Sequence, residues 1–127
     1  MRYFVSGHRD LTKEEFERYY VPFIDLVISE DAFAEFMVGD WEGCDSMFVK
    51  YMEDLYSDLR INIFYVDTPR IKGGEYNNYI FRKCESYDEC DATMTKCSHF
   101  DITWIRPGRE DSHTAKNIKR RYESNIS

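Results

Sequence analysis

Short apolar runs alternate along this chain with longer stretches whose apolar residues recur every three or four positions. That alternation constrains the fold more than any single motif. Tyr3-Phe4-Val5, Glu35 to Gly39, Ile61 to Val66 and the run from Phe100 to Arg106 read as strands. Phe16, Tyr19, Tyr20, Phe23, Ile24, Val27 and Ile28 mark a first helix. Thr12 and Glu15 form a capping-box pair at its start, and Pro22 is expected to kink it or divide it in two. Phe48, Met52, Leu55 and Tyr56 mark the inner side of the next helix. Cys90, Met94 and Cys97 share a face over 87–97, and Ala115, Ile118 and Tyr122 form the inner stripe of the last helix. Apolar strands alternating with amphipathic helices predict the α/β class, with a mainly parallel sheet covered on both faces. The expectation is a single Rossmann-like three-layer domain over residues 1–127, with four or five strands in the order 3-2-1-4. Residues 68–86 say least: Gly73-Gly74 and Asn77-Asn78 argue loop, while Tyr76, Tyr79 and Phe81 make it aromatic.

Charge and composition narrow the partners. The net charge of -7 argues against a general nucleic-acid or membrane-surface binder, which needs a basic face. Lys116, Lys119, Arg120 and Arg121 make the last helix basic, and a solvated face with cations near a helix end accounts for them. No run is long and apolar enough for a membrane span, and the first strand runs too quickly into charge to be a signal peptide. A cytoplasmic protein is expected. Of four cysteines, Cys84, Cys90 and Cys97 stand with His99 in a C-x5-C-x6-C-x-H spacing. That spacing lacks the tight pair of structural zinc sites, so free thiols, and neither metal nor cofactor, are expected.

In an open parallel sheet, ligands sit outside the carboxyl ends of the strands at the switch of strand order. Those ends carry Ser6-Gly7-His8-Arg9, the loop from Gly39 to Asp45, and the loop from Pro107 and Gly108 to Ser112-His113-Thr114. The last loop opens a helix, whose free N–H groups and positive end suit an anion such as a phosphate. Each residue also has a plain reading. Gly7 and Gly43 are turn glycines, Asp45, Ser112 and Thr114 are helix caps, and His8 and Arg9 are exposed loop residues. Asp40 and Glu42 are solvated loop charges on spacing alone, although a carboxylate there could orient a sugar hydroxyl or move a proton. What favours a site is that all these residues fall at one end of the inferred sheet.

Several stretches together resemble the SLOG group of Rossmann-like nucleotide-binding domains, which includes the DprA-like, LOG-like and YpsA-related proteins. Phe4 to Thr12 is similar to the G-x-R-D-[FLW]-T opening of the YpsA-related members. Gly39-Asp40-Trp41-Glu42-Gly43-Cys44-Asp45 is similar to their G-G-A-R-G-A-D loop at Gly39, Gly43 and Asp45. Asp91-Ala-Thr-Met94 with Phe100-Asp-Ile resembles the R-D-x-x-M and D-x-x-I run, and Ser112-His113-Thr114 resembles the S-G-T or G-G-T element. The resemblance implies a nucleotide-derived ligand at Gly7, Gly43, Ser112 and Thr114, and commonly a homodimer. Asn117 stands where the LOG-like enzymes carry a glutamate, and His113 replaces a glycine. The missing glutamate speaks against LOG-type hydrolysis. The leading expectation is therefore binding of a nucleotide or nucleotide-derived small molecule. The runner-up is an N-glycosidic-bond-cleaving enzyme of the phosphoribohydrolase or deoxyribosyltransferase kind, with Asp40, Glu42 or Asp45 as its carboxylate. A third is a protein-interaction module using Tyr76 and Tyr79.

Overall fold

The computed structural model describes residues 1–71 and 78–126, with the side chains of 124–126 left aside. The chain runs β1 (Arg2–Ser6), α1 (Lys13–Tyr19), α2 (Val21–Glu30), β2 (Glu35–Val38), α3 (Cys44–Leu55), β3 (Ile61–Val66), β4 (Tyr79–Cys84), α4 (Tyr87–Cys97), β5 (Phe100–Thr103) and α5 (His113–Ile126). All strand pairs are parallel, in the order β4-β3-β2-β1-β5. This is a Rossmann-like three-layer α/β sheet, and the strand order reverses at β1, between β2 and β5. The expected 3-2-1-4 order is corrected by one strand. Within the stretch read as loop, Tyr79–Cys84 pairs with β3 along its whole length and becomes the outer strand. Its Arg82 and Lys83 hid it, because an edge strand need not be apolar on both faces and often carries charge.

The first helical stretch divides at Tyr20, with Pro22 in the opening turn of α2, where its missing N–H costs nothing. Thr12 and Glu15 make both capping-box hydrogen bonds. One face of the sheet packs Val5, Phe36, Val38, Ile61 and Ile63 against Phe16, Ile24, Phe48 and Met52 of α1 to α3. The other packs Phe4, Met37 and Phe64 against Cys84, Cys90 and Met94. Two predicted inner residues point outward. Leu55, the last residue of α3, is exposed, as is Tyr122. The buried residues of α5 are instead Thr114 and Asn117, and Arg121 turns in to pair with Asp101 at 2.9 Å. The inner face of α5 is polar, so an apolar period could not reveal it. Residues 72–77, including Tyr76, lie outside the described residues.

Candidate functional site

A cleft of about 660 Å³ opens at the carboxyl ends of β1 and β2, between the first turns of α4 and α5. Phe4, Phe64 and Met94 of the smaller core reach its floor. Of the residues expected from sequence, Ser6, Gly7, His8, Arg9, Gly39, Asp45, Ser112, His113 and Thr114 line it together. Asp40, Glu42, Gly43, Pro107 and Gly108 are outside the lining.

The wall formed by the β1–α1 and β5–α5 loops is cross-braced. Arg106 gives Nε and Nη2 to the two oxygens of Glu15, at 3.0 and 2.7 Å, and Nη1 to Asp10 at 3.1 Å. Glu15 thus caps α1 and grips the opposite loop with one carboxylate. The Arg106 hydrogen bond holds its carboxyl down to about 2, with the Thr12 amide adding to the effect. His8 is buried, and its Nε2 accepts the Arg106 amide at 2.9 Å. Burial and the nearby Arg109 and Arg106 hold it below the ordinary imidazole range. As an acceptor at Nε2 it is neutral, so its place is structural. The Tyr20 hydroxyl closes the same joint from below, donating to the Ser6 carbonyl at 2.8 Å and accepting from the Trp104 amide at 3.1 Å.

The glycines act by making room. Gly43 has φ 78°, and a Cβ there would collide with the Arg9 carbonyl and stand 2.6 Å from that of His8, to which the Cys44 amide donates at 3.2 Å. It joins the second loop to the first from outside the cleft, in a backbone conformation that favours glycine. Gly39 leaves space for Asp45: a Cβ would lie 2.8 Å from the Asp45 Oδ2, which accepts the Trp41 amide at 3.1 Å. At Gly7 a side chain would meet Tyr20 and the Cys44 sulfur.

The opposite wall is aromatic. Trp41 lies between two guanidinium groups, with the Arg9 carbon 3.5 Å and the Arg70 carbon 3.8 Å from its ring centre, and Tyr87 packs at 4.6 Å. The Arg70 amide donates to Asp40 Oδ2 at 3.0 Å. Asp40 is buried beneath the loop, where its Oδ1 has no partner among the described residues. Glu42 is exposed.

Ser112 caps α5, accepting the Ala115 amide at 3.2 Å on its hydroxyl. The first-turn amides of His113 and Thr114 have no helical acceptor by geometry. Thr114 is 4% exposed, and among the described residues its hydroxyl has no partner. Gly108 turns with φ 90° in the exposed loop before Arg109, which reaches the cleft. Two carboxyls face these donors. Burial raises Asp45 to about 7, and the charges of Asp91 and Asp40 push the same way. Burial raises Asp91 also, against the pull of Arg120, His113 and an Asn117 hydrogen bond. Asp91, Asn117, Trp41 and Arg106 were not singled out from sequence as functional. For α4 a signal existed: Ser86 and Glu89 have capping-box spacing, which places a helix end here, with Ser86 accepting the Glu89 amide at 3.1 Å. All four cysteines are free, and Cys90 lines the cleft. Among the described residues no group of three acidic, histidine or cysteine side chains is placed to hold a metal ion, and no helix is long and apolar enough to cross a membrane.

Compared with protein-family models, curated proteins and solved structures, the chain matches none of them.

Proposed function

We propose that this protein binds a nucleotide or nucleotide-derived small molecule in the cleft at the head of β1 and β2. The observation that carries this reading is the opening of α5, where the unpartnered Thr114 hydroxyl and free first-turn amides face the cleft beside Arg109. Such a helix end holds an anion through N–H groups and a favourable dipole. Supporting it are the position at a strand-order switch, a size within the ordinary range for small-ligand pockets, and an apolar floor for a flat ring. The resemblance to the SLOG group agrees, and with it go a cytoplasmic protein and a homodimer. Sedimentation at micromolar concentration tests the dimer.

A thermal-shift series with nucleosides, nucleoside mono- and diphosphates, ribose 5-phosphate and ADP-ribose tests the ligand class. A hit at a hundredfold excess over its dissociation constant stabilises by about 2.7 kcal/mol. Thr114→Val removes the hydroxyl without filling the cleft, and the shift is expected to shrink sharply. Absence of any shift across the series overturns the reading.

One observation favours the enzyme reading as the second. Asp45 is a buried carboxyl titrating near neutrality inside the cleft, the property of a general acid in N-glycosidic cleavage. Asp40 and Glu42 offer less from beneath and outside the lining. Incubating each hit and assaying free base separates the two readings.

A further inference from the structure

With the anion placed at α5, two lining groups are left over. Asp45 and Asp91 come from different helices, α3 and α4, and both reach the cleft. Asp45 is 8% exposed, its Oδ2 is occupied by the Trp41 amide, and its Oδ1 has no partner among the described residues. The absent side chain of Gly39 gives it its path. Asp91 is half-buried, and the buried Asn117, held by Arg120 at 2.7 Å, lines the cleft with it. Among the described residues neither carboxyl forms an ion pair, unlike Asp10, Glu15 and Asp101 nearby. Asp45 is a buried carboxyl outside any ion pair, which is costly, and Asp91 stands half-buried in the same cleft, so the arrangement suits a pair completed by something that enters it. The unpartnered Thr114 hydroxyl in the same cleft points to the same missing occupant.

The chemistry of the pair selects the group that enters. A second phosphate would meet two carboxyls, and a metal would need a third ligand that the described residues do not bring. Neutral hydroxyls fit, since each can donate to a carboxylate and accept from a protonated carboxyl. Burial raises both carboxyls, and the charge of Asp91 pushes Asp45 further up. In either protonation state each carboxyl keeps an oxygen that accepts a hydroxyl hydrogen bond.

We propose that Asp45 and Asp91 read the vicinal 2′- and 3′-hydroxyls of a ribose, so that the cleft selects ribonucleotides over their deoxy counterparts. This rests on the nucleotide reading above and adds to it the sugar specificity. A site built to hydrogen-bond a hydroxyl discriminates against an analogue that lacks it, because its own polar groups are then left unpaired.

The test is calorimetric titration of the full chain with AMP, 2′-deoxy-AMP and 3′-deoxy-AMP. Wild type, Asp45→Asn, Asp91→Asn and Thr114→Val are compared. AMP is expected to bind roughly ten- to a hundredfold more tightly than either deoxy compound. Each Asn variant is expected to lose most of that ratio, while Thr114→Val weakens all three compounds together and keeps it. Melting curves check that each variant is folded, and Asp91→Asn carries the test should Asp45→Asn fail to fold. Equal binding of AMP and both deoxy compounds overturns the sugar assignment and leaves the nucleotide reading standing. A ratio unchanged in both Asn variants overturns the assignment to these residues. No binding of AMP, together with no shift across the whole nucleoside and nucleotide series, overturns both.

Discussion

The sheet has two unequal faces. Under α1 to α3, aromatic and aliphatic side chains run continuously from Val5 across Phe36 and Ile63 to Phe48 and Met52. Under α4 the buried set shrinks to Phe4, Met37, Phe64, Cys84, Cys90 and Met94, and three of these side chains, Phe4, Phe64 and Met94, are also cleft floor. The larger face is packed to hold the fold. The smaller holds α4 and α5 only firmly enough to leave their first turns facing open space. Polar groups that would be misplaced in a core, such as Thr114, Asn117 and Asp91, belong to this second face. A binding site needs room and unmet hydrogen bonds, and the lighter face is where both can be accommodated.

Truncating each core tests that division. Phe48→Ala removes a fully buried ring from the larger face and is expected to cost about 3–5 kcal/mol in urea unfolding. The protein that remains folded should bind a nucleotide hit as wild type does. Equal loss of affinity and stability would show the two faces to be one unit.

Asp45→Asn changes the cleft side and has the opposite sign. A carboxyl raised from about 3.8 to about 7 keeps its proton in the folded chain while the unfolded chain has lost it. Stability therefore falls as pH rises between those values, and the cost is complete above 7. Asparagine removes the ionisation and can still accept the Trp41 amide. It is expected to stabilise the protein at pH 8 by up to about 4 kcal/mol, with the gain fading towards pH 4. Unfolding curves at the two pH values decide it: a loss at pH 8 would mean that the carboxylate is needed by the fold.

Met94→Ala should cost less than the phenylalanine truncation, about 2–3 kcal/mol, since part of its environment is open cleft. Its effect on binding should be larger than that of Phe48→Ala. The reverse order would mean that the floor is set by the other face.

The same contrast explains how much could be read in advance. The larger face is written in apolar periodicity, and strands β1 to β3, the Thr12–Glu15 cap and the break at Pro22 follow from it directly. The smaller face is written in polar residues at core positions. Thr114, Asn117 and Arg121 occupy the inside of α5, where periodicity selects Ala115, Ile118 and Tyr122. β4 escaped notice because Arg82 and Lys83 are allowed on an edge. Glycine and hydroxyl residues at strand ends marked the end of the sheet where the cleft opens. They did not show that Gly43 joins two loops from outside the cleft, or that Arg106 and Glu15 would meet across 91 residues of chain.

That last pair gives the smallest and most local effect. Its groups are half-buried at the edge of the cleft and still reach solvent, so its strength is expected to show in pH dependence more than in neutral stability. His8 is held below its ordinary range, so the folded chain resists protonation there, and stability starts to fall as pH drops below about 6.5. Glu15, held at about 2 against 4.5, contributes stability above 4.5 that is lost as pH falls from 4.5 towards 2. Glu15→Gln keeps an acceptor for Arg106 and a capping residue for α1 but removes the charge. It should flatten the acid limb below pH 4.5 and leave the higher limb intact, as followed by tryptophan fluorescence of Trp104, which stacks on Tyr19 at 4.1 Å beside this joint. If both limbs flatten together, His8 and Glu15 are coupled through Arg106, and the braced wall is a single switch between the β1 and β5 loops.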